Sequence, residues 1–176
     1  FDDFANLDKL GAFGPMDDWR SVLFYLTSGS ADPTGRPVAM LSFLIDAQQW
    51  PAAPWPFKRT NLLLHLLNFA LLGAVAARLQ HALAHRLPGL QTSPWPPWAA
   101  AALWAAHPFL VSTTLYVVQR EAMLPMTFTM LALLAWHRAV ASFEGNRPRT
   151  GWAWAVLGVG GFTLLAGLSK ANGFLA

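Results

Sequence analysis

Long apolar stretches separated by short polar breaks constrain this chain more than any other feature of its sequence. The stretch from Asn61 to Ala77 is apolar except for Asn61, His65 and Asn68, and further apolar stretches follow it. A helix that crosses a bilayer needs about 20 predominantly apolar residues. Only 12% of the residues are charged, whereas soluble domains carry about 25%. The sequence therefore predicts an all-α, polytopic membrane helical bundle.

Polar and proline-rich breaks divide the chain into two parts. Residues 1–59 are expected to form an outer loop, because they are rich in aspartate and contain Gly-Pro and Pro-Trp-Pro turn signals. Residues 60–176 are expected to hold four membrane-helix segments, at about 60–86, 98–119, 121–141 and 151–169. The second segment contains His107-Pro108, and proline removes a backbone donor. We expect either a bent span or a helix that ends near His107 and is followed by a short surface helix.

Two short helices are predicted inside the outer loop. Asp17-Asp18 can cap a helix that runs to about Leu26. Its apolar stripe, spaced for a membrane surface or for packing on other helices, comprises Trp19, Val22, Leu23 and Leu26. A second helix is expected from Pro37, a favoured first-turn residue, to about Gln49. That helix is too short to span a bilayer.

The ends of the chain and its basic residues carry further expectations. The chain begins at Phe1 rather than Met and ends at Ala176 inside an apolar run. We therefore expect a piece of a longer protein, with a membrane helix before Phe1. The net charge of +3 does not indicate a nucleic-acid partner, because the basic residues are not clustered with stacking aromatics and most lie at span ends.

The distribution of arginine predicts the orientation. If residues 1–59 lie on side A of the membrane, the two loops on side B hold five arginines and one glutamate: Arg78, Arg86, Arg138, Arg147, Arg149 and Glu144. The positive-inside rule counts Lys and Arg in short loops near spans. Side B is therefore expected to be cytoplasmic, although Lys58 and Arg59 count for side A.

This topology collects acidic and basic residues on side A. They are Asp2, Asp3, Arg36, Gln119, Arg120, Glu121, Lys170 and Asn172, with His65 and His107 in the outer half of their helices or nearby. Polar residues at membrane depth cost roughly 2.5–3.5 kcal/mol each on insertion scales. Their convergence on one rim predicts a site that faces the outer aqueous phase.

The acid pair Asp2-Asp3 is the candidate chemical centre of that site. Paired carboxylates can act as a general base or bind a divalent cation, and the alternative explanation is a solvated loop. A divalent cation at the pair stays open, and no other cofactor is expected. The chain has no cysteine, and no HExxH motif or carboxylate accompanies its histidines, so no other metal site is predicted.

Each remaining candidate has a structural alternative. Asn61, His65 and Asn68 share one face of the first span, where inter-helix hydrogen bonds are the favoured explanation. Arg120 and Lys170 are cations at outer helix ends, and they could bind a lipid phosphate or simply extend to the headgroups. The His-Pro pair is better explained as a helix end or kink than as a catalytic element.

Taken in order, these motifs resemble the multi-span glycosyltransferases of the GT-C fold, in the branch related to the tetratricopeptide-repeat O-mannosyltransferases and their bacterial relatives. The matching pieces are Asp2-Asp3-Phe4, Gly35-Arg36-Pro37 with Leu41-Ser42-Phe43, the run Asn61 to Asn68, His107-Pro108, Tyr116 to Arg120 with Met123-Leu124, and Leu168-Ser169-Lys170. The resemblance implies a partial GT-C-like fold with amphipathic helices in the first outer loop.

The resemblance also implies a reaction. The donor would be a sugar on a polyprenyl phosphate, and the acceptor a hydroxyl of a protein or glycan. Asp2 or Asp3 would be the general base, while Arg120 and Lys170 would hold the departing phosphate. The predicted topology adds four further candidate substrate contacts: Arg36, Gln119, His65 and His107. The implied setting is a bacterial inner membrane with residues 1–59 on the periplasmic side. The expected partners are membrane lipids, the polyprenyl-linked sugar donor and the protein or glycan acceptor, and other membrane subunits stay open as partners.

Departures from the family pattern keep a second hypothesis open. Relatives often place Glu where this chain has Ala171, and many carry Glu in the loop that here reads Ser112-Thr113-Thr114. The chain could therefore be an accessory or structural membrane subunit that keeps the fold without the chemistry. A transporter or channel is the third hypothesis, but it predicts broken helices near the midplane, whereas the polar residues here gather at one rim.

Overall fold

The computed structural model describes residues 7–14, 16–29, 33–87 and 92–175, and within these ranges the regular structure is entirely helical. The helices are α1 Trp19–Thr27, α2 Pro37–Phe43, α3 Pro54–Arg86, α4 Trp95–Ala105, α5 Leu110–Leu115, α6 Arg120–Glu144 and α7 Pro148–Ser169. Short 3-10 segments lie at Val117–Gln119 and Ala171–Leu175, and the middle of α7, Trp154–Gly160, is π-helical.

Three helical stretches of the described chain are long and apolar enough to cross a bilayer. They are Pro54–Arg86, Val117–Glu144 and Pro148–Ser169, with 33, 28 and 22 residues. The surface of α3 is rich in exposed leucine, including Leu62, Leu63, Leu66 and Leu67. These helices indicate a membrane protein, because a soluble domain would not expose such a surface to water.

The second predicted membrane segment is not one continuous helix. It consists of α4, a break at His107-Pro108, and the six-residue α5. The ring Nδ1 of His107 accepts a hydrogen bond from the backbone N–H of Phe109 at 3.2 Å, which supports the turn. Three of the four predicted segments are thus long apolar helices, whereas the segment at 98–119 is broken at His107-Pro108. Of the two alternatives at this proline, the structure shows the helix that ends at Ala105 and is followed by a short helix.

The other boundaries move by a few residues. The first long helix begins at Pro54 rather than near residue 60, because Pro54 and Pro56 fit the first turn of a helix. The helix α6 extends to Glu144, and α7 begins at Pro148. The helix α2 begins at Pro37 as expected but ends at Phe43, where the chain enters a turn.

The helices α3 and α6 run parallel to each other. Asn61 bonds to Arg120 near one end, and Asn68 bonds to Thr127 farther along. At the other end, Arg78 and Arg138 line one cavity. At a rise of 1.5 Å per residue, the two ends are about 26 Å apart, close to the roughly 30 Å of a bilayer core. We call them the Asn61 end and the Arg78 end.

Small residues allow the neighbouring helices to approach closely. A Cβ on Gly73 would lie 2.5 Å from the ring of Trp98 on α4, and one on Gly158 would lie 2.8 Å from the Cβ of Ala135. Such contacts are typical of helix packing in membranes, where close van der Waals contact replaces the hydrophobic effect. Trp104 packs on His65 while Trp98 meets Gly73, so α4 runs antiparallel to α3. Gly151 meets Phe143 while Gly158 meets Ala135, so α7 runs antiparallel to α6.

The described residues before α3 (7–14, 16–29 and 33–53), which we call the outer segment after the predicted outer loop, have a compact core of their own against the start of α3. Asp18 caps α1 by accepting from the N–H of Arg20, as predicted. The core contains Leu7, Leu10, Met16, Tyr25, Met40, Phe43, Phe57 and Val117. The predicted stripe of α1 is only partly right, because Trp19 and Leu23 are exposed while Ser21 and Tyr25 are the buried residues. The buried face of α1 is therefore set by the packing of Tyr25 into this core.

Candidate functional site

The predicted catalytic pair lies outside the described residues. Asp2 and Asp3 both precede residue 7, so the structure does not test them. Leu7, four residues after Asp3, is fully buried in the outer core together with Leu10. The described part of the candidate site is therefore its basic side, at the Asn61 end.

Arg120 occupies the centre of this end and is 1% exposed. Its Nε donates to Asn61 Oδ1 at 2.8 Å, and its Nη1 donates to the backbone oxygen of Ser42 at 2.8 Å. Its Nη2 donates to Asp46 Oδ2 at 2.5 Å and to the backbone oxygen of Phe57 at 3.0 Å. The guanidinium thus joins α6 to α3 and to the outer segment.

The carboxylate of Asp46 compensates the buried charge of Arg120. Its side chain is fully buried, and its second oxygen accepts from the hydroxyl of Thr60 at 2.5 Å. A buried cation is stable only when a carboxylate and further acceptors compensate its lost hydration. The rings of Phe43 and Phe57 add cation–π contacts, with centroids 5.0 and 5.9 Å from Arg120 Cζ.

The described geometry gives Arg120 a different role from the predicted one. A guanidinium that donates to four protein acceptors and is closed off from solvent is not accessible to a lipid phosphate. Sequence reasoning overlooked Asp46 as its partner. The sequence could have indicated such a partner, because an unpaired charge at this depth is costly. Arg120 therefore requires an acid from elsewhere in the chain.

A second ion pair lies next to the first, and in this pair α6 supplies the acid rather than the cation. Glu121, the residue after Arg120, pairs with Arg36 in the outer segment. Arg36 lies at the N-terminus of α2 with φ of 55°, directly after Gly35 with φ of 67°, and Pro37 follows in the first turn. The left-handed pair ends the loop and directs Arg36 towards α6. The two consecutive charges of α6 are therefore matched by two opposite charges of the outer segment.

Tyr25 brings a third polar group into this region. Its side chain is fully buried, and its hydroxyl has no hydrogen-bond partner in the part of the chain that the structure describes. Burial raises the pKa of the Tyr25 hydroxyl, and the Glu121 carboxylate raises it further, while Arg120 acts in the opposite direction. Tyr25 therefore stays neutral at physiological pH.

Hydrogen bonds between helices account for the polar face of α3. Asn61 Nδ2 donates to the backbone oxygen of Tyr116 at 2.9 Å, and Asn68 Nδ2 donates to that of Met123 at 3.1 Å. The ring Nε2 of His65 lies 2.9 Å from the backbone oxygen of Ala105. The predicted inter-helix hydrogen bonds are confirmed for these three residues.

The other predicted contacts are spread along this end. Gln119 ends the 3-10 segment before α6 and is partly buried, and His107 is exposed at the break between α4 and α5. Lys170 follows α7 and, together with Asn172, lines a cavity of about 260 Å³ against Pro125. The structure therefore does not gather all the predicted residues around one pocket, and Lys170 is the predicted cation that borders a cavity.

A larger groove lies between the start of α3 and α5. Its volume is about 730 Å³, and its lining includes Trp50, Lys58, Phe109, Leu115 and Tyr116. The sequence predicted no role in a site for Lys58, which is the cation on this lining. The groove lies beside the chain break, and Pro108 itself is part of its lining.

The described residues contain no cluster of three or more His, Asp or Glu side chains that could hold a metal ion. A cation at the acid pair is not tested by this result, because Asp2 and Asp3 fall outside those ranges.

Comparison with known proteins adds one relative. Over 144 residues, or 81% of the chain, the sequence is 31% identical to the protein O-mannosyl-transferase Tmtc2 of Drosophila melanogaster. The aligned region is 14% of that protein, so the chain spans a small part of its relative. No family model matches the chain, and no solved structure matches it. The similarity supports a relationship to glycosyltransferases, and the GT-C fold remains a prediction.

Proposed function

We propose that the chain is part of an integral membrane glycosyltransferase that moves a sugar from a polyprenyl-phosphate donor to a hydroxyl of a protein or glycan. The observation that carries this proposal is the similarity to an O-mannosyl-transferase over 81% of the chain. The apolar helices fit such an enzyme, since a polyprenyl donor is delivered from the bilayer. The relative is a fly protein, so a bacterial inner membrane has no support from it.

In this proposal, Asp2 or Asp3 takes the proton of the acceptor hydroxyl. The acceptor oxygen forms a bond to the anomeric carbon, while the bond from that carbon to the phosphate oxygen breaks and the phosphate leaves with its electron pair. A general base contributes about 10²–10⁴-fold to such a step. Fixed cations stabilise the charge that develops on the phosphate.

Lys58 and Lys170 replace Arg120 as the proposed phosphate contacts. Both line cavities at the Asn61 end, and the groove beside Lys58 has aromatic and aliphatic walls suited to the first units of a lipid chain. Arg120 instead fixes the outer segment to α6 through Asp46. Its role in the proposed reaction is to position the loop that begins with the acid pair.

Separate Asp2→Asn and Asp3→Asn variants of the full-length protein test the proposed chemistry. Transfer from a polyprenyl-linked sugar is measured, and Asp8→Asn is the matched control because Asp8 is exposed in the same segment. We expect at least one pair variant to lose 100-fold or more in rate, with the control unchanged. Full activity in both pair variants would refute the assignment. A parallel assay with EDTA, followed by Mg²⁺ or Mn²⁺, tests the divalent cation.

The proposed orientation places residues 1–59 away from the cytoplasm, on a lumenal or periplasmic side. The chain has no cysteine, so single exposed cysteines report topology directly. Ala12→Cys should react with an impermeant maleimide from the outer side, and Glu144→Cys should react only after the membrane is opened. The reverse labelling pattern would overturn the orientation.

A non-catalytic subunit is the second candidate. The observation that favours it is the complete engagement of Arg120, which removes one of the two cations predicted to hold the phosphate. This candidate predicts that the pair variants leave transfer unchanged while they alter co-purification with other membrane subunits. The transfer assay above therefore separates the two candidates.

A further inference from the structure

Three arginines from different parts of the chain line one cavity at the Arg78 end. Arg78 comes from α3, Arg138 from α6 and Arg147 from the connection to α7, and the cavity has a volume of about 390 Å³. Its lining also includes the hydroxyl residues Ser142 and Thr150 and the ring of Trp154. None of these residues takes part in the proposed transfer reaction.

The connection between α6 and α7 places Arg147 at this cavity. The backbone N–H groups of Gly145, Asn146 and Arg147 donate to the backbone oxygens of Ala141, Phe143 and Ser142, at 3.0, 3.1 and 2.8 Å. These bonds satisfy the last carbonyls of α6, which would otherwise repel an anion. The first turn of α7 follows directly, and its N–H groups have no acceptor within the helix. The N-terminus of α7 therefore favours negative charge, and the C-terminus of α6 presents fewer free carbonyls that would oppose it.

The positive charge of the cavity is not compensated by acids. No carboxylate of the described chain lies within 4.0 Å of the guanidinium groups of Arg78, Arg138 or Arg147. Arg138 Cζ lies 5.3 Å from the ring centroid of Trp154, which holds the guanidinium in a fixed direction. By contrast, Arg36 and Arg120 at the Asn61 end both have carboxylate partners. Among the described residues, the three cavity arginines therefore have no carboxylate partner at ion-pair distance.

We propose that this cavity binds the phosphate of an anionic phospholipid headgroup. Its distance of about 26 Å from the buried ion pairs, along α3 and α6, places it at the opposite membrane interface. Trp152, one turn into α7, is 64% exposed beside it, as expected of an interfacial tryptophan. Basic pockets between membrane helices on the cytoplasmic side are suited to phosphate headgroups. The positive-inside rule depends only on the number of Lys and Arg residues in loops. It does not require that three arginines line one cavity.

Native mass spectrometry of the chain in a neutral detergent tests this proposal. The probes are short-chain phosphatidylglycerol, short-chain phosphatidylcholine and inorganic phosphate. Arg138→Gln and Arg147→Gln are compared with Arg149→Gln, which removes the same charge from an exposed residue outside the lining. Because one arginine near a membrane surface contributes about fivefold in affinity for anionic lipid, each cavity variant should weaken phosphatidylglycerol binding about fivefold. The control should change it less than twofold.

The remaining outcomes are equally decisive. Tighter binding of phosphatidylglycerol than of phosphatidylcholine supports the proposal, as does an intermediate loss in Arg138→Lys, which keeps the charge but not the planar fork. Equal losses in Arg149→Gln and Arg138→Gln would overturn it in favour of a diffuse surface charge. Displacement of the lipid by inorganic phosphate at equal concentration would overturn it in favour of a soluble anion. Unchanged helicity by circular dichroism confirms that each variant is folded.

Discussion

The buried pair of Arg120 and Asp46 allows a sharp test of how the outer segment is held. In Arg120→Met, four acceptors lose their donor, and the Asp46 carboxylate remains buried with only the Thr60 hydroxyl as a partner. In Asp46→Asn, the guanidinium keeps its three neutral acceptors but loses its counter-charge. Both variants leave one uncompensated charge in a site closed to water.

The magnitude follows from this geometry. Removal of one partner of a buried pair costs about 3–5 kcal/mol. At roughly 2–4 °C per kcal/mol for a chain of this size, the unfolding midpoint of Arg120→Met should fall by about 10 °C. Arg120→Lys keeps the charge but cannot reach four acceptors with a planar fork, so it should lose about half as much. Arg20→Met is the control, because Arg20 is exposed on α1, and it should stay within about 0.5 kcal/mol.

The assay is unfolding in detergent micelles, followed by helicity, on the two single variants and the double variant. The double variant removes both charges, so its cost should be smaller than the sum of the single costs by about 2 kcal/mol or more. Costs that simply add would show that Arg120 and Asp46 do not interact. A loss under 1 kcal/mol in Arg120→Met would refute the conclusion that this pair fastens the outer segment.

Three further predictions concern the core and the helix contacts. Tyr25→Phe should keep or raise stability, because it removes an unpaired buried hydroxyl. Since the folded pKa of Tyr25 is raised, the wild-type chain should also lose stability above about pH 10. Thermal melts from pH 8 to 11 should show a shallower loss of stability in the variant. Gly158→Leu should cost about 1–3 kcal/mol through overpacking, whereas Gly160→Leu should cost less than 0.5 kcal/mol, since nothing lies within 4 Å of its Cβ position; similar losses in both would contradict the packing. Asn68→Leu should cost about 1–2 kcal/mol, because it breaks two inter-helix bonds, and an unchanged unfolding midpoint would show that these bonds do not hold α3 to α6.

Local chemistry explains which parts of the fold the sequence predicted well. The cap at Asp18, the start at Pro37 and the break at Pro108 depend on a few neighbouring residues, and the structure has them where expected. The inter-helix role of Asn61 and Asn68 was also predictable, because polar groups on a membrane helix need partners. Helix ends without such a signal, such as the end of α2 at Phe43, were placed less well.

The sequence by itself indicated a helical membrane protein with a polar N-terminal segment, because hydropathy and proline placement act over a few turns of chain. Only the tertiary structure decided what each cation does. Arg120 meets Asp46 across 74 positions of the sequence, so its inward direction is decided by packing rather than by local pattern. Arg138 carries the same charge, but no carboxylate of the described residues pairs with it, and it lines a cavity with two further arginines. A structural charge is distinguished from a charge that is available to a ligand by its burial and its partners. The sequence does not contain this information.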